Sequence, residues 1–430
     1  MSDYNGHGCK ADMPSNGLKR KNVFLVALHL KPFPINKTEE SLKELAALAE
    51  TLGFCVAGCM IQSRQAPDQR TYIGKGKLKE MADAAEARQA DLVLFDNELS
   101  PKQGQVLEKE LGCMVWDRPQ VILEIFARHA RTAEAKVQVE LASLEYMLPR
   151  LVGMWAHLDR ERGGIGASRG MGEKQIDVDR KIVRTRIARL KKELVKIAGE
   201  REIQRKKRKD CFQVAVIGYT NAGKSTLMNL LTGNDLLAED RLFATLDSTT
   251  RILKGVTKPE TVISDTVGFI RNLPHGLVAS FRSTLNVVKD ADLVLHVTDA
   301  GHPLLADHIR VTHEVLKEIG AAKVPAILVM NKTDLITDDI KKLILERKYP
   351  QAVMVSAFNP DTKERLIDRI RQFFQDQFFF RKVKLPYNRS GTLSDFYEHS
   401  IVENISYKED AVYIDCIISK MNKGRFAGLI

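Results

Sequence analysis

The chain has 430 residues, 44% hydrophobic and 28% charged, with 66 Lys and Arg against 55 Asp and Glu. That length suggests roughly two to four domains, and that balance excludes a mainly disordered chain. No run approaches the ~18 apolar residues of a membrane span, and the polar stretch from Met1 to Arg20 lacks the apolar core of a secretion signal.

Residues 1–20 read as a flexible tail. From Asn22 strand and helix patterns alternate: strands at Val23 to Leu30, Phe54 to Met60, Asp91 to Asp96 and Met114 to Asp117. Helices are expected at Thr38 to Leu52, Lys77 to Gln89, Pro101 to Leu111 and from Arg118 to Arg128. This order predicts a small parallel α/β domain over 21–128.

Residues 129–209 differ. Val137, Leu141, Leu144, Leu148 and Leu151 recur at 4,3,4,3 spacing, and so do Val183, Ile187, Leu190, Leu194 and Ile197. Two such seams suggest an antiparallel helical hairpin, with Pro149 breaking the first helix and the Gly163 to Gly172 stretch between the two. Segment 180–209 carries fourteen Lys and Arg against three Glu, so it holds the whole excess of eleven positive charges; the other residues balance. Such density is the footprint of a phosphate-backbone binder, to be weighed against a merely solvated helix face.

A second α/β alternation is expected over 210–378, with buried strands at Phe212 to Ile217, Thr261 to Asp265, Asp292 to Thr298, Ala326 to Asn331 and Ala352 to Val355. Residues 379–430 read as a small α+β domain with a helix at Leu393 to His399 and a strand at Ile414 to Ile418. The fold class is therefore α/β and multidomain. The six cysteines are scattered without a CxxC pair and read as reduced thiols, not as a disulfide framework or zinc site.

The run Gly218, Tyr219, Thr220, Asn221, Ala222, Gly223, Lys224, Ser225 fits GxxxxGK[ST] between a strand and a helix. Glycines let consecutive N–H groups face a β-phosphate, Lys224 would reach the β- and γ-phosphates, and the Ser225 hydroxyl would hold Mg²⁺. Phe243, Ala244, Thr245, Leu246 and Asp247 follow, with Thr245 offering a second Mg²⁺ and γ-phosphate ligand. Asp265, Thr266, Val267 and Gly268 end a strand and would meet the metal through water and the γ-phosphate. Asn331, Lys332, Thr333 and Asp334 end another; an Asp carboxylate there can accept two N–H bonds from guanine, which adenine cannot offer in that pattern. Ser356, Ala357 and Phe358 lie after the last strand, where backbone N–H groups could meet guanine O6. The joint order selects GTP over ATP. Phe269 stands where Ras-like enzymes place a water-orienting Gln, so the catalytic residue is not assigned and slow intrinsic hydrolysis is expected. Asn221 has two readings, a K⁺ ligand or a loop hydrogen bond.

Leu148 to Leu151 (LPRL), Gly163 to Gly166, Arg169 to Gln175, Phe243 to Asp247 and Asp265 to Arg271 resemble the HflX family of GTPases. The resemblance covers about residues 21 to 430. It implies an N-terminal α/β domain, a helical hairpin, a Ras-like G domain with a mixed sheet and a small C-terminal domain. It further implies binding to the large ribosomal subunit and its rRNA in the GTP state, and separation of stalled or stress-arrested ribosomes into subunits. Departures from the family pattern are Met171 for the Pro of RGPGE, Ser248 for Pro, Asp177 for Glu, and Asn272 and Gly276 for His and Asp. They leave the nucleotide motifs untouched and touch the loop tip and switch regions. A cytoplasmic monomer without integral membrane contact is expected.

Two other readings stand beside it: a GTP-gated RNA-binding or ribosome-assembly scaffold, and a GTPase held peripherally on anionic lipid by the basic helix. Gly74-Lys-Gly-Lys77 could hold a phosphate but reads more simply as a basic turn; it is the one element that could support ATP use in the N-terminal domain. His308 and His313 read as helix-surface residues, and Trp116 and Trp155 as packing residues.

Overall fold

The protein is described from a computed structural model. It covers residues 21–151, 169–206, 211–233, 243, 249–253, 260–266, 268–271, 287–375, 378–387, 393–420 and 426. The expected tail 1–20, Trp155, most of the Gly163 to Gly172 stretch, Ala244 to Asp247, Ser248, Val267, Asn272 and Gly276 lie outside the described residues. The chain separates into two compact units: residues 1–196 with 240–246 and 271–281, and the remainder.

The first unit holds a parallel four-stranded sheet in the order β2-β1-β3-β4, formed by β1 (Asn22–Leu30), β2 (Cys55–Arg64), β3 (Leu92–Phe95) and β4 (Met114–Asp117). β1 and β3 are central and buried almost throughout, which is why their sequences are unbroken apolar runs. The helices are α1 (Ile35–Thr51), α2 (Lys75–Ala87), α3 (Pro101–Leu111) and α4 (Arg118–His129). α3 starts sharply because Ser100 and Gln103 form a capping box with Pro101 at the first position; it ends at Gly112, whose φ of 67° suits a residue without Cβ. Asp117 caps α4 by accepting from Gln120 N. The next residue, Arg118, is fully buried and binds Asp96 Oδ1 at 2.7 Å and the Glu44 carboxylate.

Helix α5 (Ala133–Met147) stops two residues before Pro149, as the sequence requires. Helix α6 runs from Arg169 to Lys206, 38 residues. Val137, Leu141 and Leu144 of α5 pack with Ile187, Leu190 and Leu194 of α6, so the predicted seam forms. One expectation changes: Gly170 and Gly172 fall inside α6 rather than in the connecting loop. Two glycines cost about 1 kcal/mol each relative to Ala, which a long cooperative helix can carry.

The second unit is built on a six-stranded mixed sheet, order β10-β9-β8-β5-β7-β6. Its strands are β5 (Phe212–Gly218), β6 (Thr250–Ile252), β7 (Thr261–Asp265), β8 (Leu293–Asp299), β9 (Ala326–Asn331) and β10 (Val353–Met354); only β6 pairs antiparallel. Its described helices include α7 (Lys224–Thr232), α8 (Leu305–Glu318), α9 (Asp339–Lys348) and α10 (Asp361–Gln375). Phe212 stacks on Phe374 with ring centroids 4.1 Å apart, anchoring α10 to the core.

The C-terminal part is a three-stranded antiparallel sheet, β11 (Phe378–Leu385), β13 (Val412–Ser419) and β12 (Ser400–Tyr407), with α11 (Leu393–His399). The sequence reading missed β6, β11 and β12. β6 has three residues and no buried run, and β11 alternates apolar residues with exposed cations, as edge strands do. Among the described residues no helix is long and apolar enough to cross a membrane. Among the described residues Cys55, Cys59, Cys113, Cys211 and Cys416 form no disulfide.

Candidate nucleotide site

The phosphate-loop motif leaves β5 and enters α7. Two positions in it demand glycine. Gly218 has φ 150° and a Cβ there would run into the Val297 carbonyl; Gly223 has φ 87° and a Cβ would strike Asn331 Nδ2. Asn221, between them, takes the left-handed conformation at φ 57°, which Asn tolerates better than most residues. The loop is fixed from beneath: Thr220 N donates to Phe269 O at 2.8 Å and Phe269 N to Gly218 O at 3.0 Å. Phe269 is 2% exposed, so the residue at the Gln position is an apolar brace for the loop.

Lys224 is buried, and its ammonium donates to Tyr219 O at 2.8 Å. Burial lowers its pKa to about 8, with Asp265 pulling in the opposite direction. A Cβ on Gly268 would come 2.9 Å from Lys224 Nζ, so the DxxG glycine leaves room for the lysine. Ser225 Oγ donates to Asp265 Oδ2 at 3.0 Å, which brings a hydroxyl and a carboxylate together. Hard oxygen donors of this kind suit Mg²⁺. Thr266 is locked by Oγ1 donating to Val216 O and by N donating to Asp265 Oδ1.

Asn331 ties three loops together. Its Nδ2 donates to Ala222 O at 3.0 Å and its Oδ1 accepts from Ala357 N at 3.1 Å. Lys332 adopts φ 62° and pairs with Asp299 at 3.0 Å. Thr333 N donates to Val355 O and opens a short 3₁₀ turn, in which Asp334 is the middle residue and is exposed. Ser356 is buried; its Oγ accepts from Phe358 N and its carbonyl from Thr362 Oγ1. Phe358 is exposed. The structure thus gathers 218–225, 265, 266, 268, 331–334 and 356–358 within the second unit. Phe243 belongs to the first unit, with its ring edge-on to Phe126 at 4.7 Å. Thr245, the other expected metal ligand, is among the residues not described.

One expectation is corrected. His308 is buried, not a surface residue: its ring stacks on Tyr219 of the phosphate loop at 3.7 Å and 4°, and His302 lies 4.2 Å beyond. The signal was present, because Leu305, His308, Thr312, Val315 and Leu316 follow helical spacing on one face of α8. His313 is exposed as expected. Beneath it, His296 of β8 is buried, and burial with nearby His313 and Lys224 lowers its pKa to about 3. Trp116 packs against Phe54, ring centroids 5.9 Å apart.

A mixed sheet with a phosphate loop, a DxxG strand end and an NKxD turn defines a P-loop GTPase. Residues 39–127 match the family described as GTP-binding GTPase N-terminal, 129–208 the GTP-binding GTPase Middle Region, and 213–332 the 50S ribosome-binding GTPase. Similar curated proteins include GTPase HflX of Gluconacetobacter diazotrophicus, 40% identical over 86% of this chain and 89% of that one. GTPase HflX of Chlamydia pneumoniae is 37% identical over 99% and 92%, and that of Escherichia coli K12 is 40% identical over 88% and 89%. The chain belongs to the HflX family of GTPases and hydrolyses GTP. Among solved structures, the complex of SsGBP and GDP is similar at 27% identity and TM-score 0.47, covering 82% of this chain and 98% of that one.

Proposed function

We propose that this GTPase binds the large ribosomal subunit through rRNA in its GTP state and splits stalled or stress-arrested ribosomes in the cytoplasm. The observation that carries this is α6. Its seam residues Ile187, Leu190 and Leu194 turn toward α5, while Lys181, Arg184, Arg189, Lys192 and Lys196 are exposed. Arg186 and Lys191 are spent on ion pairs with Glu140 (2.6 Å) and Glu145 (2.8 Å), so the polyanion face is the remaining cations. The match of 213–332 to a 50S ribosome-binding GTPase supports the same partner.

In the nucleotide site, Lys224 and the backbone N–H groups of 218–225 hold the phosphates, and Asp334 with Ala357 reads guanine. Ser225 and Thr245 would hold Mg²⁺, with the Asp265 carboxylate beside Ser225, and the ion would supply positive charge against the phosphates. Phe269 cannot orient water, so turnover is slow until a ribosome supplies the missing group. Asn221 keeps both its readings, a K⁺ ligand or a loop hydrogen bond.

The test is a gradient of purified ribosomes with protein and GTP, a non-hydrolysable analogue or GDP. Subunit release with GTP or the analogue, but not GDP, is expected. Binding to large subunits without release favours the assembly-scaffold reading, and no co-sedimentation in any state overturns both.

A further inference from the structure

Thr220 is the third residue of the phosphate loop. It is 7% exposed, and its hydroxyl, buried from solvent, has no hydrogen-bond partner among the described residues. A buried hydroxyl left in this way costs stability, so it points to a partner that the chain itself does not supply. The backbone of the same residue is already committed. Thr220 N donates to Phe269 O at 2.8 Å, and Phe269 N returns a bond to Gly218 O at 3.0 Å. The Thr220 N–H therefore does not join the N–H groups that cradle a phosphate, and the hydroxyl is the one donor this residue has left.

The surroundings say which partner fits. A Cβ built on Gly268 would come 2.9 Å from Thr220 Cγ2, 3.1 Å from Thr220 Cα and 2.9 Å from Lys224 Nζ. The threonine side chain and the lysine ammonium thus flank one spot beside the DxxG glycine. Lys224 is the residue that reaches the β- and γ-phosphates, and Gly268 is expected at the γ-phosphate. The methyl of Thr220 is the group now turned to that spot. Methyl and hydroxyl occupy staggered positions about 120° apart, so one rotamer step brings the hydroxyl there without moving the backbone.

We infer that the Thr220 hydroxyl donates a hydrogen bond to a γ-phosphate oxygen and so lets the loop tell GTP from GDP. The acceptor is anionic, which makes the bond roughly twice as strong as a neutral one. GDP ends one phosphate short and leaves the hydroxyl without a partner. Because Thr220 N is tied to Phe269 O, the same contact is felt by the segment that follows DxxG. The inference rests on the reading of 218–225 as the phosphate loop and adds to it a side chain specific for the third phosphate.

The experiment is calorimetric titration of the full-length protein, with Mg²⁺ present, by GDP and by the non-hydrolysable β,γ-imido analogue of GTP. Thr220→Val keeps the shape of the side chain and removes the hydroxyl; it weakens the analogue about ten-fold relative to GDP. Thr220→Ser keeps the hydroxyl and restores the wild-type ratio of the two affinities. Thr220→Ala loses the ratio again. Ser and Ala differ in the hydroxyl alone, so this comparison stands even when the Val variant folds poorly. Without nucleotide, Thr220→Val melts no lower than the wild type, because it removes a buried hydroxyl that lacks a partner. An unchanged ratio, an equal loss for both nucleotides, or a Ser variant that behaves like the Ala variant overturns the proposal. So does a Val variant that melts markedly earlier, which would give the hydroxyl a partner inside the chain. Lys224→Met separates the two levels. Undiminished GDP affinity in that variant removes the phosphate-loop reading and this inference with it. A loss there, combined with an unchanged ratio in the Thr220 variants, removes the role of the hydroxyl alone.

Discussion

At the scale of single residues, the site couples protonation to ligand binding. Lys224, with its pKa lowered to about 8, is half neutral near that pH in the empty protein. A bound polyphosphate favours the ammonium, so binding above pH 8 takes up a proton and affinity falls as pH rises. GDP affinity by calorimetry at pH 7 and pH 9.5 should differ by about ten-fold or more, with proton uptake at the higher pH. Lys224→Met should bind weakly at both. His296 acts on stability in the opposite range. Its folded pKa of about 3 lies below the ordinary 6.5, so below 6.5 the unfolded chain binds the proton and the folded one does not. Stability is fully present above pH 6.5 and declines as pH falls toward 3, by a few kcal/mol. Urea midpoints across pH 7 to 4 check this, and His296→Phe should flatten the slope. Tyr219 and His308 form a stacked pair worth about 1 kcal/mol beyond the burial of their rings. His308→Ala should lower GDP affinity several-fold while leaving the sheet intact; unchanged affinity would show that the stack does not hold the loop. The phosphate-loop glycines were legible because a fixed backbone conformation leaves a fixed residue signature. The burial of His308 was legible in the spacing of α8, but its stacking partner was not, nor were those of Arg118: the fold brings Tyr219, Asp96 and Glu44 from distant sequence positions, and such pairs leave no local pattern.

At the scale of elements, periodicity carried the reading. The apolar runs of β1, β3, β5, β7, β8 and β9 and the 4,3 spacing of α5 and α6 are properties of buried faces, which sequence records directly. Edge strands bury little, so β6, β11 and β12 escaped notice. The seam can be weighed against its flanking ion pairs. Leu190 is 0% exposed between α5 and α6. Leu190→Ala should cost about 2–4 kcal/mol by the cavity it leaves. Glu140→Gln, which breaks a half-exposed pair, should cost less than about 1 kcal/mol. Thermal unfolding of the two variants separates these outcomes; equal losses would mean that the ion pairs, not the seam, hold the helices. Arg118 is a different case. Removing Asp96 leaves a buried guanidinium short of a partner, and Asp96→Ala should cost about 3–5 kcal/mol.

At the scale of the molecule, charge is the organising quantity. The excess of eleven lies in residues 180–209, of which α6 holds all but the last three. Reversing Arg184, Arg189 and Lys192 to Glu should weaken ribosome binding and reduce its dependence on salt, because fewer counterions leave the RNA. An unchanged salt slope would remove α6 from the interface. The hydrogen bonds of the Asn331 side-chain amide, donated to Ala222 O and accepted from Ala357 N, join the loops on which phosphate and base recognition would rest. One side chain thus makes a single lever of the two halves of the pocket, so that a strain on either loop is felt by the other. Asn331→Ala should therefore weaken the hold on base and on phosphates together, which titrations with GDP and with pyrophosphate would read as parallel losses.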